Sequence, residues 1–128
     1  MTRGRIPTIA EIASSLGIPE GETRESAARL AEAHILVLQE NGEILMAAPF
    51  SAVPTSFLVR TRSFECFANC VWDAIGVPLM VGTTATIETA CGCCGNQIVL
   101  QIDGGLKGEG VVHFAVPARQ WWDDIVFT

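Results

Sequence analysis

A thiol and a carboxylate stand three residues apart at Cys70 and Asp73, inside the apolar segment Phe67-Ala-Asn-Cys-Val-Trp-Asp-Ala-Ile75. The segment predicts a helix, and a spacing of three places both side chains on one helical face, one turn apart. A thiolate is a soft nucleophile, and a neighbouring carboxyl group can supply a proton. A buried core cysteine is the alternative for Cys70 alone. Because a carboxylate is costly to bury without a partner, we predict that both residues line one pocket between two lobes.

Three further cysteines follow in Cys91-Gly-Cys-Cys-Gly95, at a predicted turn between two strands. A Cys-x-x-Cys followed by glycine is half of a zinc knuckle, and zinc needs two more ligands. The remaining thiols and imidazoles are Cys66, Cys70, His34 and His113. Since no second Cys-x-x-Cys pair is present, a structural zinc ion is one alternative among several. We assign His34 no catalytic role and expect it to cap a helix end, and we expect the three tryptophans to be core or core-edge residues.

Residues 1–50 predict a winged-helix-like lobe. Thr8-Ile-Ala-Glu11 is a capping box that opens a first helix, and a second helix is expected over residues 22–33. Ile35–Leu38 and Glu43–Met46 predict two strands, and Asn41-Gly42 between them is typical of a type I′ hairpin turn. Such units commonly bind DNA, and a packing module is the alternative.

Residues 51–128 predict a second lobe that carries the cysteines, after a proline-containing linker over residues 47–54. We expect a strand over residues 55–59 and a helix from Phe64 to Ile75 that is ended by Gly76-Val-Pro78. Further strands are predicted over residues 84–89, 97–102 and 111–116. The fold class is therefore α+β: a winged-helix-like lobe followed by a small, mostly antiparallel sheet with a packed helix.

Composition narrows the function classes. The 128 residues are 49% hydrophobic and 17% charged, which suits a packed core and argues against disorder. A net charge of -6 disfavours phosphate contacts, so no nucleic acid partner is expected. No apolar run approaches the roughly 18 residues of a membrane span, and the first residues lack the apolar stretch of a secretory signal. We therefore expect a cytoplasmic protein with no membrane partner.

Two segments carry a resemblance to a known family. Asn69-Cys-Val-Trp-Asp-Ala-Ile-Gly-Val-Pro78 and Ile87-Glu-Thr-Ala-Cys91, followed by Gly95 and Ile98-Val-Leu100, resemble the organomercurial (alkylmercury) lyases. The resemblance extends over nearly the whole chain. It implies that Cys70 is the catalytic nucleophile and Asp73 the proton donor. It also implies a structural role for Cys91, because the family cysteine at that position is structural and not catalytic.

The resemblance implies protonolysis of a carbon–mercury bond, giving a hydrocarbon and Hg(II). Thiolates are the preferred ligands of soft metals, so Hg(II) is expected at Cys70 with help from a thiol of the later turn. The candidate metal-binding residues are Cys70, Asp73, Cys91, Cys93 and Cys94. No cofactor is expected for catalysis. The implied partners are an organomercurial substrate, free thiols for product release and, as a candidate, a mercuric reductase.

The family has a second catalytic cysteine after an aromatic, acidic stretch that resembles Gln120–Thr128. The sequence given stops at Thr128, so we expect weak cleavage unless another thiol substitutes. Two other functions stay open at this point: a non-catalytic thiol-based metal-binding protein, and a winged-helix regulator that senses metals or oxidants.

Overall fold

The computed structural model describes residues 2–126, so Met1, Phe127 and Thr128 lie outside the described residues. Three α-helices and one short 3₁₀-helix are present: α1 (Ile9–Leu16), α2 (Glu20–Glu32), α3 (Val71–Val81) and a 3₁₀-helix at Ala118–Asp123. The strands are β1 (Thr2–Arg3), β2 (Leu36–Leu38), β3 (Ile44–Ala47), β4 (Phe50–Ser51), β5 (Leu58–Thr61), β6 (Phe64–Ala68), β7 (Ala85–Ala90), β8 (Gln97–Ile102) and β9 (Leu106–Lys107).

The N-terminal part has the predicted order of two helices and a hairpin. The capping box is present: the Glu11 amide donates to the Thr8 hydroxyl at 3.2 Å, and the Thr8 amide donates to the Glu11 carboxylate at 2.8 Å. Gly17, in the left-handed conformation with φ 68°, ends α1. Ile9 and Ala27 pack with Leu36 of the hairpin in a small core.

The predicted type I′ turn is wrong. Such a turn needs positive φ at both central residues, here Asn41 and Gly42. Gly42 has φ 79°, but Asn41 does not have a positive φ, since His34 is the one described non-glycine residue that does. The Gly42 amide donates to the Gln39 carbonyl, and the Gln39 amide to the Glu43 carbonyl. The connection is therefore a three-residue loop whose last residue, Gly42, takes the left-handed position.

All nine strands of the described residues belong to one sheet, with strand order β2-β3-β4-β6-β5-β7-β8-β9 and β1 paired to β6. Neighbours along this order are antiparallel, and the β1–β6 pair is parallel. Helix α3 packs on the sheet through Ala74 and Val77, which contact a buried cluster that includes Val59 and Ile87. The α+β class with a mostly antiparallel sheet is confirmed. The division at residue 50 stays a prediction, since β3 and β4 pair across it.

The predicted helix from Phe64 to Ile75 is wrong over its first half. Residues Phe64–Ala68 form β6, and α3 begins only at Val71. Alternation explains this strand, because Cys66 and Ala68 are buried while their neighbours are half-buried. The helix also does not stop at Gly76-Val-Pro78: Pro78 lies inside it, fully buried, and Gly82 with φ 67° ends it.

The C-terminal segment departs from the predicted strands. Residues 84–89 and 97–102 were expected as strands, and β7 and β8 confirm them; the expected strand at residues 55–59 is β5, displaced toward the C-terminus. The strand expected over residues 111–116 is absent, and Val111 is 93% exposed. This segment does not extend the sheet beyond β9. It leads instead to an aromatic cluster at the N-terminus of α3.

Candidate active site

Cys70 is the N-cap of α3, and Asp73 lies in the first turn of the helix. The extended backbone of Cys70 (φ -145°, ψ -179°) turns the chain from β6 into the helix, and its carbonyl accepts the Ala74 amide at 2.9 Å. Both side chains are half-buried. A helix N-terminus leaves amide groups without helical partners and favours negative charge. The two residues are thus close together for a different reason from the one predicted: a cap and its first turn, not a shared face within a helix.

The Cys70 thiol holds its proton more tightly than a free cysteine does. Burial is the largest cause that raises its pKa above 9.0, and the Asp73 carboxylate raises it further. The backbone amides of Asp73 and Trp72 act in the opposite direction. The net direction is upward, so Cys70 carries a proton at neutral pH until something displaces it.

Asn69 holds the carboxylate of Asp73. Its Nδ2 donates to Asp73 Oδ2 at 3.1 Å, while its own Oδ1 is buried without a hydrogen-bond partner among the described residues. Sequence reasoning did not single out this residue. The i, i+4 spacing of Asn69 and Asp73 was the available signal, since such pairs meet across one helical turn.

A cavity of about 450 Å³ opens beside this group. Both Cys70 and Asp73 line it, together with residues from the N-terminal hairpin and from the C-terminal segment. Its lining residues are His34, Ile35, Leu36, Val37, Met46, Ala48, Phe57, Asn69, Cys70, Val71, Trp72, Asp73, His113, Phe114, Trp121, Trp122, Ile125 and Val126. The structure therefore places the predicted pair on one cavity between the two parts of the chain, as expected, and their chemical roles stay predictions.

Aromatic rings form much of the cavity wall. Phe114 stacks on Trp72 with ring centroids 6.5 Å apart and meets Trp121 at 5.1 Å. Trp121 Nε1 donates to the Val116 carbonyl at 2.8 Å, which fixes the ring. The expectation that the tryptophans are core or core-edge residues is wrong for Trp72 and Trp122, which are 57% and 41% exposed. Sequence reasoning could not find this wall, because its members come from α3 and from a segment about 40 residues later.

His34 joins the N-terminal part to this wall. Its ring stacks on Trp122 at 4.2 Å with an interplanar angle of 7°. Its backbone has φ 59° and follows the end of α2, where its amide donates to the Ala31 carbonyl and the Ile35 amide donates to Leu30. This is a Schellman cap with histidine at the position that glycine usually takes. His34 thus caps α2 through its backbone, while its side chain faces the C-terminal segment.

The other predicted thiols lie elsewhere. Cys91, Cys93 and Cys94 occupy the turn between β7 and β8 and do not line the cavity, and Cys66 is buried in the sheet. All five cysteines are free. Across residues 2–126, no group of three or more His, Cys, Asp or Glu side chains is placed to hold a metal ion. Among the described residues, the five candidate metal-binding residues therefore do not form one common site. The hypothesis of a structural zinc ion gains no support.

Comparison with known proteins identifies a matching family and a similar solved structure. The family model of the alkylmercury lyases (MerB) matches residues 50–128, which include α3, the cysteine-rich turn and the aromatic segment. The chain belongs to the alkylmercury lyase family. Its fold resembles a crystal structure described as the mercury-bound form of MerB2, with a TM-score of 0.64 and 20% sequence identity over 79% of this chain. The match covers 50% of that chain, so the present sequence spans about half the length of its structural relative.

No curated protein sequence matches the chain. Within the described residues, the helices are all too short or too polar to cross a membrane.

Proposed function

We propose that the cavity beside α3 cleaves the carbon–mercury bond of organomercurials, with Cys70 as nucleophile and Asp73 as proton donor. The observation that carries the proposal is the pairing of a thiol with a carboxylate at one helix N-terminus, on a largely apolar cavity. Membership of the alkylmercury lyase family supports the same chemistry.

The first step is capture of mercury by sulfur. Cys70 Sγ displaces the exchangeable ligand of R–Hg–X and forms a sulfur–mercury bond, because soft metals prefer thiolate over oxygen ligands. The thiol proton must leave as this bond forms. Asp73, one helical turn away, is the nearest carboxylate in the cavity lining and accepts it. The raised pKa of Cys70 therefore keeps a proton in the site until the substrate arrives.

The second step returns that proton to carbon. The electron pair of the carbon–mercury bond forms the new carbon–hydrogen bond, and R–H leaves. Hg(II) then remains on Cys70 opposite the ionised Asp73, so the balance is one thiol proton consumed for each hydrocarbon released. A second sulfur comes from a small-molecule thiol, which takes up the product, since Cys70 is the one cysteine among the described lining residues.

Asn69 can serve both states of Asp73. Its Nδ2 donates to Asp73 Oδ2 at 3.1 Å, the contact that suits a carboxylate acceptor. When Asp73 carries the proton, a rotation of the amide presents the unpaired Oδ1 as an acceptor. Asn69 is then a positioning residue that keeps the carboxyl group aimed at the cavity throughout the cycle.

Detection of hydrocarbon in the headspace tests the proposal. The chain is incubated with an aryl mercurial and excess small-molecule thiol, and the released arene is measured by gas chromatography. Removing a positioned general acid costs about 10²- to 10⁴-fold, so Asp73→Asn should lose activity by that factor, and Cys70→Ser should be inactive. Cys93→Ser and Asp103→Asn, both exposed and outside the cavity lining, are matched controls. Equal release by the wild type and by Cys70→Ser would contradict the proposal.

A further inference from the structure

Residues 111–126, called the strap from here on, form one side of the cavity without belonging to the sheet. The strap follows β9, contains no strand, and has the 3₁₀-helix at Ala118–Asp123 as its regular element. It supplies six of the residues that line the cavity: His113, Phe114, Trp121, Trp122, Ile125 and Val126. Because Cys70 lines the same cavity, any movement of the strap changes access to that thiol.

Ring contacts join the strap to the rest of the protein near both of its ends. Phe114 stacks on Trp72 of α3 with ring centroids 6.5 Å apart, and Trp122 stacks on His34 at 4.2 Å. The Trp121 indole, by contrast, donates to the Val116 carbonyl within the strap itself. Opening would therefore break side-chain contacts but no strand pairing of the described residues, which is typical of segments that open locally.

Glycines lie where the strap leaves the sheet. Gly108 has φ 140°, and a Cβ at this position would lie 2.7 Å from Leu100 Cδ2, so a side chain there would be strained. Two residues later, a Cβ at Gly110 would meet no atom within 4 Å. A few small residues at the end of an element commonly absorb the backbone rotation of a moving segment. Residues 108–110 are thus suited to act as the hinge of the strap.

The backbone of His34 has a conformation that its role as a helix cap does not explain. With φ 59°, it occupies the left-handed position after α2 that glycine fills without strain. A glycine would therefore serve the cap better than a histidine does. What only the histidine supplies is its ring, which lies 7° from parallel with Trp122. Strained backbone held in this way points to a function of the residue.

We propose that the strap is a lid on the cavity and that the stack of His34 on Trp122 is the latch that holds it closed. While the stack is formed, the strap stays against the hairpin side of the cavity and Cys70 is half-buried. When the stack breaks, the strap pivots at residues 108–110 and the cavity opens to solvent. The latch is independent of the proposed lyase activity, because it concerns access to Cys70 and needs no mercury to be observed.

The rate at which a bulky maleimide alkylates Cys70 measures the opening. The full chain carries serine at Cys91, Cys93 and Cys94, and Cys66 is buried, so Cys70 is the accessible thiol. His34→Gly keeps the left-handed cap and removes the ring. A stacked aromatic pair favours the closed state by about 2- to 12-fold, so this variant should be alkylated faster by that factor. Its thermal midpoint should stay within about 4 °C, because glycine relieves the backbone strain.

Trp122→Ala removes the other ring of the latch and is the second variant. It should speed alkylation as much as His34→Gly does, and the double variant should add nothing to either single change, because all three lose the same contact. Trypsin cleavage after Arg119, an exposed strap residue, should quicken in the same variants. Leu16→Ala, 64% exposed on α1, is the control and should leave both rates unchanged.

Three results would overturn the latch. The first is a His34→Gly alkylation rate equal to that of the background protein. The second is a pair of single effects that multiply in the double variant, since independent contacts would give that result. The third is faster alkylation that comes only with a thermal midpoint lowered by more than about 4 °C, because global unfolding would then expose Cys70. Hydrocarbon release is not measured in these experiments, so their outcome is separate from that of the lyase proposal.

Discussion

Asn69→Leu should make the protein slower and no less stable, a combination that a merely structural residue would not give. Leucine has the same branching and the same number of side-chain heavy atoms as asparagine, but it cannot hydrogen-bond. The substitution removes the 3.1 Å bond to Asp73 and also removes the buried Oδ1 that has no partner among the described residues. The first loss acts on the carboxyl group that we propose moves the proton, and the second removes a cost of folding.

The sizes of both effects can be estimated from Asn69 Nδ2, which loses its bond to Asp73, and Asn69 Oδ1, which is removed. A hydrogen bond to a charged group contributes about 1.5–3 kcal/mol, and an unsatisfied buried polar group costs about 1–3 kcal/mol. Because Asp73 is half-buried, the lower end applies to the bond. The net change in unfolding free energy then lies between about 0.5 kcal/mol of destabilisation and about 1.5 kcal/mol of stabilisation, centred on a small gain. A misdirected carboxyl group that forfeits about 1.5–3 kcal/mol in the transition state slows turnover about 10- to 150-fold.

Two measurements separate the effect on turnover from the effect on stability. The kcat for hydrocarbon release at saturating substrate should fall, and the thermal midpoint should hold or rise by a few degrees. Alkylation of Cys70 should persist, because its thiol is not removed. Gln101→Leu, an exposed amide on β8, is the matched control. A kcat equal to the wild type, or a fall in the thermal midpoint of more than about 4 °C that accompanies the loss of activity, would refute the reasoning.

Three further outcomes are expected. Burial raises the folded-state pKa values of Cys66 and Cys70 above 9.0. The protonated thiols therefore stabilise the fold below the pKa of a cysteine in the unfolded chain, and this contribution to the unfolding free energy is lost as pH rises through the folded-state pKa. The rate of Cys70 alkylation should accordingly rise without a plateau up to pH 9, and the unfolding free energy should fall beyond it. Ile87→Ala removes a fully buried side chain and should cost about 2–5 kcal/mol in denaturant unfolding, whereas Val99→Ala, 52% exposed, should cost under about 0.5 kcal/mol. Random duplex DNA should show no saturable anisotropy change at micromolar protein, because α2 carries four glutamates against two arginines, and Kd values of about 10⁻⁶ M at low salt would contradict this.

Local signals in the sequence predicted the N-terminal elements well. The capping box and the apolar periodicity specify α1 through contacts within one turn, so neighbours in sequence are sufficient. The segment from Phe64 to Ile75 is different, because a short apolar run fits either a strand or a helix. Residues Phe64–Ala68 become a strand since they pair with β4 and β5 on both sides, and that pairing is not encoded locally.

The candidate site divides in the same way. Cys70 and Asp73 could be predicted, because their proximity needs only three residues of chain. A pocket beside them was predicted, but its aromatic wall could not be, since Phe114 and Trp121 approach from a segment that sequence patterns predicted as a sheet strand and its flank. The sequence predicted only a capping role for His34. Its stacking on Trp122 could not be predicted, because it depends on contact between two segments more than 80 residues apart.

The most direct test of the account is the intact mass of the protein after one exposure to an aryl mercurial. A variant with serine at Cys91, Cys93 and Cys94 leaves Cys70 as the accessible thiol. With Asp73 present, the account predicts an adduct of mercury without the aryl group, together with free arene. With Asp73→Asn it predicts that the aryl–mercury group stays intact on Cys70. An intact aryl–mercury adduct that persists equally with and without Asp73 would contradict the proposed proton transfer.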